Sequence, residues 1–253
     1  MFLKGKRGLV VGIANDASIA WGCARAFRAH GAEVAVTWLN DRARGYVEPL
    51  AEQLDAPIRM PLDVTQPEQM AALFAEIERR WGRLDFLLHS IAFAPKADLQ
   101  GRLVNSSREG FLTAMDVSCH SLMRLAAAAE PLMTEGGSIL TMSYYGAEKV
   151  VTHYNLMGPV KAALEASVKY LAAELGAQGI RVNALSPGPI KTRAASGLAD
   201  FDRLMELAAQ RAALHQLVTL EQIGEMAAFL VGDNARQVTG QTIYVDAGYN
   251  IRG

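Results

Sequence analysis

Short apolar runs alternate with amphipathic helical segments along the whole sequence. The runs fall at residues 9–11, 33–38, 57–61, 84–89, 138–142, 180–185 and 242–245. Nearly continuous apolar strands joined by helical crossovers are typical of a parallel sheet that helices cover on both faces. No linker, repeat or low-complexity stretch interrupts the pattern. We therefore predict one α/β domain over residues 1–253, built on a doubly wound, parallel, seven-stranded sheet.

Composition excludes several kinds of function. The 253 residues are 51% hydrophobic and 20% charged, with a formal net charge of -1, which is ordinary for a globular protein. A near-neutral balance gives no support for nucleic-acid binding through a basic face. The apolar run after the basic start is too short to span a membrane, and no cleavage site follows it. We expect a cytoplasmic protein that binds neither nucleic acid nor membrane.

The cysteines and histidines do not indicate a metal site. Cys23 and Cys119 lie far apart and suit a reducing compartment, where we expect packed free thiols. Metal-ligand spacing is also absent from four histidines, which are His89, His120, His153 and His215. We expect no metal cofactor.

The first apolar run leads into a glycine turn and then a helix. Gly12 ends the run, Ser18 follows, and the helical pattern continues past Gly22. This layout is typical of a dinucleotide phosphate site, because the positive end of the helix faces the pyrophosphate. The common G-x-G-x-x-G spacing is absent, and a simple strand-to-helix turn would look similar.

Tyr154 and Lys161 are the strongest candidates for chemistry. They are seven residues apart, close to two helical turns, so both side chains are expected on one helix face. A cation near a phenol favours its ionised form and eases proton transfer. Tyr144 follows the run at 138–142, where open α/β sheets place their ligands. Such a pair also occurs by chance on amphipathic helices, so its interpretation depends on the rest of the chain.

Several motifs occur in one order along the chain. Tyr154-x6-Lys161, Asp63-Val64, Asn183 and Pro187-Gly188 resemble the landmarks of the short-chain dehydrogenase/reductase family over its full length. Four further segments resemble its divergent branch, the bacterial enoyl-acyl-carrier-protein reductases. These segments are residues 12–22, 89–95, 143–158 and 188–197.

The resemblance implies a Rossmann-type fold and a reaction. The substrate would be a trans-2-enoyl thioester on acyl-carrier protein, with hydride passing from NADH to its β-carbon. Tyr154 would hydrogen-bond the developing enolate oxygen, Lys161 would hold the nicotinamide ribose, and Tyr144 would supply a second phenol near the acyl chain. The resemblance also implies a homotetramer, which the apolar end of the chain at 242–249 suits.

The resemblance further implies which residues contact each ligand. The cofactor-binding residues would be Gly12, Ser18, Ile19, Leu39, Asp63, Val64, Ser90, Ile91, Ala92, Lys161, Ile190 and Thr192. The substrate would meet Ala94, Tyr144 and Tyr154, under a helical flap at about residues 190–214 whose apolar side chains are Leu198, Phe201, Leu204, Met205 and Leu207. NADH is expected over NADPH, because Asp41 is the first charge after the second strand; Arg42 and Arg44 follow closely.

Plainer interpretations stay open for some of these residues. Ile19, Val64 and Ile91 also suit ordinary core packing, and Asp63 and Thr192 also suit helix capping. Ser143 leaves a carbonyl-reducing ketoreductase open, and a non-catalytic dinucleotide-binding sensor is a third possibility. Two residues depart from the branch. Leu39 removes a polar contact near the adenine, and Pro159 implies that its helix starts late or is kinked.

Overall fold

The computed structural model describes residues 1–192 and 201–252, and its centre is a parallel sheet. Every pair of neighbouring strands runs parallel, in the order β3-β2-β1-β4-β5-β6-β7. The seven strands are β1 (Arg7–Val11), β2 (Glu33–Trp38), β3 (Ile58–Pro61), β4 (Phe86–His89), β5 (Gly137–Met142), β6 (Ile180–Pro187) and β7 (Thr242–Val245). The order reverses between β1 and β4, so the predicted doubly wound sheet is confirmed.

Helices connect the strands and cover both faces of the sheet. They are α1 (Ile19–Ala29), α2 (Asp41–Gln53), α3 (Pro67–Trp81), α4 (Lys96–Gln100), α5 (Arg108–Met115), α6 (Ser121–Ala129), α7 (Met157–Leu175), α8 (Phe201–Arg211) and α9 (Leu220–Val231). Across the described ranges, none of them has both the length and the apolar character needed to cross a bilayer.

Alternation along each strand divides the core into two clusters. On β1, Leu9 belongs to a cluster with α3, α6 and α7, whereas its neighbour Val10 belongs to a cluster with α1, α2 and α9. Successive side chains of a strand point to opposite faces, so each apolar strand contributes to both clusters. Trp21 and Trp81 are buried, one in each cluster.

The helical pattern of the sequence over residues 108–133 predicts one continuous helix, and this prediction is wrong. Between α5 and α6 the chain forms a π-helical turn over Asp116–His120. Ser121 contributes to this break, because its hydroxyl donates to the Val117 carbonyl four residues earlier at 2.6 Å. Turns of this kind are frequent at functional sites.

The predicted flap is described only in part. Helix α8 lies inside the predicted range of about 190–214. Residues 193–200, including Leu198, lie outside the described residues. A substrate-covering role for this segment stays a prediction.

Candidate active site

The candidate site lies at the carboxyl ends of the central strands, near the point where the strand order reverses. We call this side of the sheet its carboxyl edge, as distinct from the edge strands β3 and β7. Val11 of β1 is in register with His89 of β4, and His89 is in register with Thr141 of β5. The residues that follow these strands therefore lie side by side at one edge. This edge brings together the turn after β1, the loop after β4 and the tyrosines after β5.

Gly12 allows the turn after β1 to approach the loop after β4. Its φ is +116°, and a Cβ added there would lie 2.1 Å from the Ser90 carbonyl oxygen. No other residue type fits this approach without a shift of backbone. Ser18 closes the same turn, since its Oγ accepts hydrogen bonds from the Ala14 and Asn15 amides, both at 3.0 Å.

The first turn of α1 fits an anionic group. Ser18 is the N-cap residue, but its side chain makes no capping hydrogen bond to α1. The Ile19 and Ala20 amides therefore receive no acceptor from the Ser18 side chain, and they form the positive end of the helix dipole. The first turn of α1 is therefore suited to bind the pyrophosphate of a dinucleotide.

Tyr154 does not lie on the helix that carries Lys161, so the predicted geometry is wrong. Helix α7 begins at Met157, and Tyr154 lies in the preceding turn between His153 and Asn155, whose φ angles are 65° and 42°. Pro159 explains the late start, because a residue without an amide hydrogen is tolerated in the first helical turn.

The two candidate phenols pack against each other. The rings of Tyr144 and Tyr154 meet edge to face, with centroids 4.8 Å apart. Gly146 packs against the same ring, since a Cβ there would lie 2.3 Å from Tyr154 Cδ1. Burial raises the pKa of both phenols, and for Tyr154 the nearby Tyr144 and Glu165 raise it further. The expectation that a cation favours the ionised Tyr154 is therefore wrong; the phenol stays protonated and can donate.

Lys161 is a buried ammonium that binds the end of β5, two residues before Tyr144. Its side chain lies on α7 with 4% exposure, and Nζ donates to the Met142 carbonyl at 2.6 Å. Burial lowers the Lys161 pKa to about 8, and Cys119 and Glu165 oppose that shift. The residue stays charged at neutral pH. An ammonium has three donors, so Lys161 fits a pair of ribose hydroxyls.

The loop after β4 is fixed by a serine that the sequence did not single out. Ser118, in the π-helical turn, donates to the Phe93 carbonyl at 3.0 Å and accepts from the Phe93 amide at 2.9 Å. These bonds hold the middle of the loop, whose half-buried residues include the predicted ligand contacts Ser90, Ile91 and Ala94, with Ala92 exposed between them. A break in helical hydrogen bonding leaves no sequence pattern, so Ser118 could not be found in advance.

His89 anchors the start of the same loop from beneath. It is fully buried, with Nδ1 2.7 Å from Thr141 Oγ1 and Nε2 2.8 Å from Ser121 Oγ. Burial lowers its pKa to about 3, with the Lys161 charge adding to the effect. His89 is therefore a neutral structural residue. The residues around it in the sequence do not indicate its hydrogen bonds to Thr141 and Ser121.

The predicted adenine contacts gather at the ends of β2 and β3. Trp38 is in register with Pro61, and the Leu62 amide donates to the Trp38 carbonyl at 2.8 Å. Val64 is buried, whereas Leu39 is 54% exposed. Leu39 and Val64 therefore form an apolar rim, which would contact an adenine ring through apolar packing more than through hydrogen bonds.

Asp63 has a local structural partner at this rim. Its Oδ1 accepts from the Thr65 amide at 2.9 Å and from the Thr65 hydroxyl at 2.7 Å. Asp63 thus stabilises the turn that leads into α3, as the capping interpretation predicted. It is not itself the N-cap residue of α3, which is Gln66. Binding of adenine by Asp63 stays a prediction.

The segment after β6 carries the last predicted cofactor contacts. Gly188 donates its amide to the Val245 carbonyl at 2.9 Å, and the Thr192 amide donates to the Ile190 carbonyl at 2.8 Å. Ile190 is half-buried against the α1 side of the core. Contacts of this segment with a nicotinamide stay predictions.

Comparison with known proteins identifies this arrangement. The family model described as "Enoyl-(Acyl carrier protein) reductase" matches residues 12–250. Enoyl-[acyl-carrier-protein] reductase [NADH] 1 of Rhizobium meliloti is 49% identical over 251 residues, covering 99% of this chain and 92% of that protein. The [NADH] FabI enzyme of Nostoc sp. is 49% identical over 254 residues, covering 99% and 98%.

Solved structures agree in sequence and in shape. The reductase of Anaplasma phagocytophilum in complex with NAD is 50% identical, with a TM-score of 0.96 and coverage of 100% of this chain and 97% of that one. The Bacillus cereus reductase with NADP+ and an indole naphthyridinone is 46% identical, with a TM-score of 0.97 and coverage of 100% and 99%. The chain belongs to the enoyl-(acyl carrier protein) reductase family of short-chain dehydrogenases/reductases.

Proposed function

We infer that this chain is an NADH-dependent enoyl-acyl-carrier-protein reductase of type II fatty acid synthesis. The observation that carries the inference is the pair of protonated phenols, Tyr144 and Tyr154, at the same sheet edge as the buried Lys161 ammonium. Relatives matched over almost the whole chain carry the same NADH-dependent activity in their names.

The cofactor fits the edge of the sheet between the turns after β1 and β4. The first turn of α1 would hold the pyrophosphate, Lys161 the nicotinamide ribose, and the apolar rim at Leu39 and Val64 the adenine. When bound, NADH supplies the hydride that the β-carbon of the enoyl thioester receives. The close approach of Gly12 to the Ser90 carbonyl supports this placement, because it brings the turn after β1 and the loop after β4 together.

Tyr154 would stabilise the enolate that forms at the thioester oxygen. A phenol that stays protonated at neutral pH is a hydrogen-bond donor, and a donor aimed at developing negative charge lowers the barrier. The edge-to-face contact with Tyr144 and the packing of Gly146 hold the Tyr154 ring in one orientation. Tyr144 would border the acyl chain beside it.

Ser143 does not favour the ketoreductase alternative. Its hydroxyl donates to Glu165 Oε1 at 2.5 Å, so this group is already engaged by a carboxylate on α7. A serine that assists carbonyl reduction would instead donate to the substrate oxygen. The enoyl reductase is thus the better fit to the contacts of this serine.

The partners follow from the same proposal. The substrate would arrive on acyl-carrier protein, and the enzyme would act in the cytoplasm as a homotetramer. Strand β7 supports the assembly: it is an edge strand whose four residues are only half-buried. Beside it, Met226, Phe229 and Val245 line an apolar groove that a second subunit could cover.

The decisive experiment compares two thioesters of equal chain length. We expect purified enzyme to consume NADH with a trans-2-enoyl thioester and to show little activity with the matching 3-oxoacyl thioester. The reverse preference would identify a ketoreductase. Tight NADH binding without turnover of either thioester would identify a non-catalytic sensor.

A further inference from the structure

Two side chains of α7, one helical turn apart, hold consecutive residues at the end of β5. Lys161 Nζ donates to the Met142 carbonyl at 2.6 Å, and Glu165 Oε1 accepts the Ser143 hydroxyl at 2.5 Å. Residues four apart on a helix lie on one face, so both contacts come from the same side. Tyr144 is the next residue of the chain.

The Ser143–Glu165 contact sits in a largely enclosed place. Ser143 is buried, and Glu165 is half-buried. A charge-assisted hydrogen bond between a hydroxyl and a carboxylate is short and roughly twice as strong as a neutral one. It therefore fixes the backbone that leads from β5 into Tyr144.

The same carboxylate places a negative charge within reach of the site's titratable groups. Glu165 raises the pKa of Lys161 against the effect of burial, and it raises the pKa of the Tyr154 and Tyr244 phenols. Cys119, in the π-helical turn, also faces Lys161 and shifts its pKa in the same direction. Removing the Glu165 charge should thus make the Lys161 ammonium easier to deprotonate.

We propose that Glu165 is a positioning residue: it anchors Ser143, and with it the Tyr144 segment, and it places a carboxylate one helical turn from the Lys161 ammonium on the same face of α7. Its catalytic consequence rests on the proposed function, whereas its effect on Lys161 concerns cofactor binding alone. Glu165 accepts the Ser143 hydroxyl and its charge acts on Lys161, so we assign its effect to these two residues. The sequence feature that could indicate this role is the position of Glu165 four residues after Lys161.

Two variants separate the two roles. Glu165→Gln keeps an oxygen that can accept the Ser143 hydroxyl but removes the charge, whereas Ser143→Ala keeps the charge and removes the hydrogen bond. Glu174→Gln is the matched control, because it makes the same chemical change on the exposed side of α7. Thermal unfolding of each variant checks that the fold is kept.

The charge role is read from NADH affinity, measured by calorimetry at a series of pH values. An ammonium that holds ribose hydroxyls loses affinity when it is deprotonated. We expect the pH above which affinity falls to move to lower pH in Glu165→Gln and to stay in place in Ser143→Ala and Glu174→Gln. An unmoved profile in Glu165→Gln would overturn the charge role, whatever the substrate of the enzyme.

The anchoring role is read from turnover at neutral pH. We expect Ser143→Ala to lower kcat about tenfold or more with little change in NADH affinity, because a displaced catalytic group costs rate more than binding. A kcat within twofold of the parent enzyme would overturn it. Should the parent enzyme reduce no enoyl thioester, the proposed function fails, and the NADH titration still decides the charge role.

Discussion

Tyr154 combines a protonated phenol with a fixed ring, which is what a hydrogen-bond donor to an enolate needs. We expect Tyr154→Phe to lower kcat about 10²–10³-fold, the cost of one lost oxyanion donor. NADH affinity should stay unchanged, since Phe keeps the ring that packs against Tyr144 and Gly146. The measurement is steady-state turnover of an enoyl thioester together with NADH calorimetry.

Tyr144→Phe is the matched control for that prediction. It removes the same atom from the neighbouring ring, whose phenol is not assigned to the enolate. A loss below about tenfold in Tyr154→Phe would contradict the central role of this phenol, and a larger loss in Tyr144→Phe would transfer the role to Tyr144.

The ion pair of Arg44 with Glu48 predicts an effect of Glu48 on cofactor preference. The Arg44 guanidinium lies 5.6 Å above the Trp38 ring, near the expected position of a 2′-phosphate, and is paired with Glu48 at 2.8 and 3.2 Å. This pair raises the pKa of Arg44 and lowers that of Glu48. We expect Glu48→Gln to raise kcat/KM for NADPH by roughly fivefold, the upper value of an exposed ion pair.

Glu52→Gln is the control for the cofactor prediction. Glu52 lies on the same helix as Glu48 but is paired with Arg59 of β3 at 3.5 Å, so this variant removes a carboxylate without freeing Arg44. An equal gain for NADPH in both variants would mean that general charge, and not the Arg44 pair, sets the preference. An unchanged NADPH efficiency in Glu48→Gln would show that Arg44 does not reach the phosphate.

At the residue scale, the sequence shows which chemical groups a site could use, but it does not show how buried those groups are or what they contact. Tyr154, Lys161 and Gly12 could be named because phenol, ammonium and bare backbone have distinctive uses. Burial and partners decide the rest, as they do for the protonation of Tyr154 and for the contact between Ser143 and Glu165. These depend on which segments meet in space, and that information is absent from local spacing.

At the scale of elements, apolar patterning predicted the bounds of several strands well. Strands β2 and β7 have the expected ends. Pro67 occupies the first turn of α3, and Thr219 and Gln222 form a capping box at α9. The misplaced elements, the helix at 108–133 and the start of α7, are those where side-chain bonds and a proline override helical periodicity.

The His89 network predicts how stability depends on pH. The His89 pKa is lowered from 6.5 to about 3, so below pH 6.5 the unfolded chain binds a proton that the folded protein does not. The contribution of His89 to the free energy of unfolding should therefore be fully present above pH 6.5 and should be lost as the pH drops toward 3. For this single group the loss between about pH 7.5 and pH 5 is about 2 kcal/mol.

His89→Gln tests that prediction, because an amide can donate and accept but does not titrate. Denaturant unfolding of both proteins at the two pH values isolates the contribution of His89 from that of other acids. We expect the parent to lose about 2 kcal/mol more than the variant on acidification. An equal loss in both would mean that His89 titrates normally in the folded protein.

At the scale of the whole molecule, the two core clusters cover the edge strand β7 only partly. The sheet ends at β7, whose residues are half-buried, and the groove beside it is lined by Met226, Phe229 and Val245. Edge strands that keep apolar surroundings are commonly covered by another element or another chain. An assembly of this kind was expected from the sequence only through resemblance and the apolar end at 242–249.

Phe229→Arg should therefore weaken the proposed homotetramer. Phe229 on α9 is 40% exposed in the single chain, and a second subunit packed on the groove would bury it. A charged guanidinium in place of an apolar ring that the interface would bury is costly, so we expect light scattering at micromolar concentration to report a smaller species than the parent enzyme. Tyr46→Arg on α2, at a side chain 57% exposed and far along the chain from β7, is the control and should remain tetrameric. A parent enzyme that is monomeric would contradict the proposed assembly, whereas a Phe229→Arg variant that stays tetrameric would move the interface to another face.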